Sequence, residues 1–144
     1  WGLPYGGNPI PHKYPGRNFD KRKGLYPGVA GQGGLAVWPK GRLVALQCDE
    51  EGEFATVAVV PKGSRIRLNA SVKPTGYIKT AVRRFDQGED LPGCSFDQAD
   101  RVVGDGLELP VTWQGEADIP HEGAGIMLRF QLRQAKLFGI EFVS

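Results

Sequence analysis

From Gly41 onward apolar and polar residues alternate in short runs, the period-two signature of half-buried antiparallel strands. In 64–72, Ile66, Leu68, Ala70 and Val72 fall on one face and Arg65, Arg67, Asn69 and Ser71 on the other. Leu107, Leu109, Val111 and Trp113 repeat the spacing, as do Ile126, Leu128, Phe130 and Leu132 opposite Met127, Arg129, Gln131 and Arg133. Further runs rich in β-branched or aromatic residues occupy 42–48, 53–60, 77–85 and 137–143. Between them, 49–52, 61–63, 73–76 and 86–93 carry the Gly, Pro or Asp expected of tight reversals. About seven strands follow, with no helical period to compete. The expectation is an all-β fold, an antiparallel two-sheet β-sandwich of jelly-roll type.

Residues 1–41 break this pattern. They hold 10 of the 21 Gly and 6 of the 11 Pro, with mostly aromatic and basic residues between, a composition that makes loops. Such a stretch buries little apolar area alone, so Trp1, Tyr5, Tyr14, Phe19, Tyr26 and Trp38 are expected to rest on a neighbouring surface. The division is an extended arm, 1–41, followed by a sandwich domain, 42–144. Because the chain opens on Trp1 rather than Met, a processed product or a fragment of something longer is expected, the fragment being favoured.

Charge and cysteine content narrow the chemistry. A net charge of +2 gives no field for holding polyphosphate or an anionic bilayer surface, so neither nucleic acid nor membrane is expected as a partner. No apolar run approaches the ~20 residues that cross a bilayer. Cys48 and Cys94 are too few for a zinc site, and whether they pair is open. His12 and His121 sit in Gly/Pro-rich loops with no His or Cys at ligand spacing, and no nucleophile, base or paired carboxylates converge, so no active site is expected.

Two sets of residues suggest binding instead. Sugar recognition needs flat aromatic faces flanked by hydrogen-bonding groups, which makes Trp38 and Tyr77, with Arg83 beside Tyr77 on one strand face, the ligand-binding candidates. Trp113 joins them, although its phase with Leu107, Leu109 and Val111 favours a place in the core or at its rim. Among the acids of 89–105, Asp97 and Asp100 are the carboxylates that would hold calcium, the one cofactor considered; the alternative is solvated turn acids.

Several motifs together carry a family resemblance. They are Tyr5-Gly6-Gly7 with His12, Gly34-Leu35-Ala36, Ile66 to Asn69, and Pro92-Gly93-Cys94-Ser95 with Asp97 and Asp100. Val111-Thr112-Trp113 with Gly115, Leu128 to Leu132 and Ala135 to Phe138 complete the set. Nearly the whole chain in this way resembles the C-terminal part of bacterial glycosyl-hydrolase-like proteins, in which a five-bladed β-propeller precedes a small β-sandwich. Cys94 stands where that family usually has an aromatic residue, and Ala99 where it often has cysteine. The resemblance implies that catalytic carboxylates lie in an upstream propeller. It also implies an exported protein, secreted, periplasmic or extracellular, that acts on polysaccharide or glycoconjugate. The expected function is a non-catalytic carbohydrate-binding or accessory module; the alternative is a structural sandwich that steadies the upstream catalytic domain.

Overall fold

The computed structural model of the chain describes residues 2–6 and 33–144. Contacts divide the chain into two compact units, Trp1–Lys40 and Gly41–Ser144. In the first, β1 (Gly2–Gly6) pairs antiparallel with β2 (Gly33–Val37), Gly2 opposite Val37 and Gly6 opposite Gly33. Composition alone made this stretch loop; two of its pieces are strands instead. In a two-stranded ribbon every strand is an edge, and an edge tolerates Pro4 where a central strand would not. His12, Tyr14, Phe19 and Tyr26 lie outside the described residues.

The second unit is built on one four-stranded antiparallel sheet. Its strands are β3 (Leu46–Ala55), β4 (Arg65–Arg84), β5 (Asp105–Pro110) and β6 (Ile126–Val143), in the spatial order β3-β6-β4-β5. No helix forms among the described residues, and the fold is all-β. The long strands β4 and β6 run the length of the sheet as its centre, from Arg65 opposite Val143 to Arg84 opposite Ile126. Their alternation buries Ile66, Leu68, Ala70 and Val72, then Ile78, Thr80 and Val82, on β4. On β6 it buries Ile126, Leu128, Phe130 and Leu132.

On β6 the buried phase then slips by one residue, to Ala135 and Leu137. The slip occurs at Gln134, which holds φ 46° in the left-handed region that favours glycine. Both neighbours are irregular at the same level. On β3 the pairing jumps from Cys48 opposite Ala135 to Glu51 opposite Arg133. On β4 it jumps from Val72 opposite Ala135 to Tyr77 opposite Arg133. A single line of bulges therefore crosses three strands.

This line accounts for two of the expected reversals. Segments 49–52 and 73–76 do not turn the chain back; each lies inside one strand, and four expected strands become β3 and β4. Extra residues in a ladder produce a bulge rather than a turn when the pairing resumes on the same partner, as it does here on β6. Pro74 is tolerated in mid-strand because it sits in such a bulge.

The core lies between one face of the sheet and the segments flanking β5. Leu91, Cys94, Ala99, Val102, Val111, Trp113 and Ile119 pack with the buried residues of β4 and β6, and the Phe54 and Phe130 rings stack with centroids 5.0 Å apart. Backbone bonds fasten these segments to the second half of β4. Ile78 and Val102 exchange both amides, and the Val82 amide donates to the Cys94 carbonyl. The Trp113 indole Nε1 donates to the Thr80 carbonyl at 2.8 Å.

Thr80 is fully buried and its hydroxyl has no hydrogen-bond partner among the described residues. A buried hydroxyl without a partner carries a desolvation penalty of about 1–3 kcal/mol. Thr80→Val keeps the branched shape and removes that group, so thermal unfolding should move to higher temperature; a lower midpoint would show that the hydroxyl is satisfied.

Candidate functional site: a polar cleft on the bulge line

Where the bulges cross the sheet, side chains spread apart and leave a cleft of about 310 Å³. Its wall is set by register. Gln47 on β3 and Ser71 on β4 both pair with Lys136 on β6, which puts the three in a row across the sheet. Lys73 follows Ser71 on the same strand face, and Gln134, Ala135, Cys48, Asp49, Arg42 and Phe138 complete the lining.

Arg42 is consumed by the fold. Its Nε donates to Asn69 Oδ1 at 3.0 Å, and its Nη2 reaches Asp105 at 2.6 Å and the Ala70 and Gly106 carbonyls at 3.3 Å. The guanidinium lies 4.9 Å from the Phe138 ring centroid. Arg42, and after it the Ser71 hydroxyl at 2.8 Å, hold the Asp105 carboxyl below the usual aspartate range. Asp49 accepts from the Gln47 amide at 2.8 Å, and Gln134 Oε1 accepts from the Thr75 hydroxyl. The ammonium groups of Lys73 and Lys136, both on exposed residues, enter no ion pair among the described residues.

The residues singled out from sequence lie elsewhere. Tyr77 and Arg83 share a face of β4, as expected, but that face closes on itself. The Tyr77 hydroxyl donates to Glu51 at 3.2 Å, and the Arg101 guanidinium sits 5.0 Å from the Tyr77 ring centroid. Arg83 pairs with Asp90 at 3.3 Å, and Arg129 pairs with Glu53 at 2.7 Å and Asp90 at 3.5 Å while covering the Phe96 ring. The hydrogen bond from Arg129 lowers the Glu53 pKa below the ordinary value. Trp38, just after β2 in the first unit, is half-buried.

Trp113 requires a correction. It is 2% exposed and its only polar group is bonded to Thr80, so it offers no ring face to a ligand. It only borders a second cleft of about 310 Å³, with Pro92, Gln114, Glu116 and Pro120. Leu109 and Val111 turn inward in phase with it, which carries the indole into the core, whereas Leu107, expected on the same face, is 49% exposed.

Asp97 is exposed, whereas Asp100 accepts the Thr112 hydroxyl at 2.6 Å and the Gly115 amide at 2.8 Å. These bonds, Thr112 first, lower its pKa and give it the part of a turn-capping acid. Among the described residues no three His, Cys, Asp or Glu gather as a metal site. His121 Nδ1 accepts the Gly123 amide at 3.0 Å within its own turn.

Both thiols are free. Burial pushes the Cys94 thiol up to about 11, while Cys48 is half-buried on the cleft wall. A thiolate is the species that alkylates. Iodoacetamide at neutral pH should therefore label the native chain once, at Cys48, as peptide mass spectrometry would show; labelling of Cys94 at an equal rate would contradict its burial.

Sequence reasoning missed Lys73, Gln134 and Lys136. One signal was available: Pro74 and Gly76 interrupt an alternating pattern that resumes beyond them, which marks a bulge as readily as a turn. Set against known protein families, curated proteins and solved structures, the chain matches none of them.

Proposed function

We propose that this chain is a non-catalytic accessory module of an exported, glycosyl-hydrolase-like protein, and that it takes glycan in the cleft along the bulge line. One observation carries the reading. The cleft gathers amide, hydroxyl, ammonium and carboxylate groups on a concave wall, the mixed donors and acceptors that sugar hydroxyls require, with Ala135 and the Phe138 ring beneath Arg42 as its apolar part. Aromatic stacking at Tyr77 is the weaker route, because that ring lies outside the cleft and its hydroxyl is bound to Glu51.

The carbohydrate context is what the family resemblance implies, as is an upstream propeller domain that carries the catalytic carboxylates. The same reading extends to the architecture. The segments around β5 form the second layer of a jelly-roll-like sandwich, supported by the bridges from Ala99 to Trp113 and from Trp113 to Glu116 and by the core shared with the sheet.

The structural alternative has an observation of its own. Leu43, Val44, Leu46, Val57 and Val60, on and around the edge strand β3, are more than half exposed, as a surface that rests on a neighbouring domain would be. Affinity electrophoresis of the chain in gels containing polysaccharide separates the two. Retardation that weakens in cleft variants such as Gln134→Ala and Ser71→Ala supports recognition; free migration through every glycan gel leaves only the structural role.

A further inference from the structure

We infer that the cleft selects an acidic sugar, a pyranose bearing a carboxylate or sulfate, and that Lys73 and Lys136 grip the anion. The inference rests on the glycan reading above and adds the ligand's charge. Three cations line the cleft against one carboxylate, Asp49, which is already hydrogen-bonded to Gln47. Arg42 is neutralised by Asp105 and bound in four directions, so it steadies the wall and leaves recognition to the two lysines.

Among the sheet cations that enter no ion pair among the described residues, Lys73, Lys79, Arg133 and Lys136, only Lys73 and Lys136 line the cleft. Arg65, Arg67, Arg83, Arg84 and Arg129 all lie against carboxylates, whereas Lys73 and Lys136 line a cleft whose one carboxylate, Asp49, is taken up by Gln47. Register holds them there. Lys136 is opposite Ser71 and Gln47, and Lys73 opens the bulge that faces Gln134, whose φ of 46° is a strained setting for a residue other than glycine. The neutral groups Gln47, Ser71 and Gln134 are then placed for ring hydroxyls on either side of the anion.

The test is calorimetric titration of the whole chain with polygalacturonate, dextran sulfate and unmodified dextran. Binding is expected to one or both acidic polymers, to weaken with added salt, and to fall about tenfold or more in Lys73→Gln/Lys136→Gln while the melting curve stays unchanged. The two polymers tell carboxylate from sulfate. Lys62→Gln, on an exposed residue outside the cleft, serves as the control and should bind as the parent chain does. An equal loss in that control would reduce the effect to general surface charge and overturn the assignment. Tight binding of plain dextran with none of the acidic polymers would overturn the acidic-sugar inference while keeping the glycan reading; no binding to any polymer, across a wider glycan panel as well, would remove both. Polymer should also slow alkylation of Cys48 on the cleft wall, and an unchanged rate at saturation would place the ligand elsewhere.

Discussion

Trp113→Ala is expected to lose about 3–5 kcal/mol of stability, the range for truncating a buried aromatic residue to alanine. The indole is 2% exposed, and its removal both empties the layer between β4 and the segments flanking β5 and strips the Thr80 carbonyl of its partner. Small domains have a total of only about 5–15 kcal/mol, so a large fraction of the native state is at stake. Trp113→Phe separates the two causes. It keeps most of the volume and loses the hydrogen bond, for an expected cost of about 1–3 kcal/mol. Urea denaturation measures both, and an alanine variant within about 0.5 kcal/mol of the parent would behave as a surface substitution and contradict the burial.

Gly76→Ala is the second large effect. A Cβ there would lie 2.3 Å from the Arg133 carbonyl oxygen and 2.8 Å from that of Gln134, both backbone atoms in the ladder between β4 and β6. Neither can yield without shifting the ladder itself. The expected cost is about 1–3 kcal/mol or more, the range for forcing extra volume into a packed site. Gly125→Ala is the matched control. Its new Cβ would meet only the Phe85 Cβ, at an ordinary 3.8 Å, and should change the urea midpoint little. Equal midpoints for the two variants would show that β4 and β6 do not approach so closely at the bulge line.

The alternation in 64–72 and 126–133 foretold which side chains go inward, because a strand with one buried face must keep its period. The same rule puts Trp113 with Val111 in the core, where both lie, and puts Leu107 there too, which is exposed instead. What the pattern did not separate was a reversal from a bulge. Gly, Pro and Asp serve both, and the difference lies in whether the next run returns to the same partner, a contact between residues more than fifty positions apart such as Tyr77 and Arg133. Read as turns, 49–52 and 73–76 divide β3 and β4 and hide the cleft that their bulges form with β6. The aromatic residues drew attention for their chemistry, but their availability is decided by Arg101 over Tyr77 and by Thr80 beneath the Trp113 nitrogen. Such neighbours are set by the tertiary fold.

Chemical-shift mapping by two-dimensional NMR, with an acidic oligosaccharide titrated into the labelled chain, tests the central claim most directly. The expected result is a set of perturbed amides confined to 42–49, 71–76 and 134–138. Perturbation centred on Trp38, Tyr77 and Arg83 with the bulge line silent would contradict it.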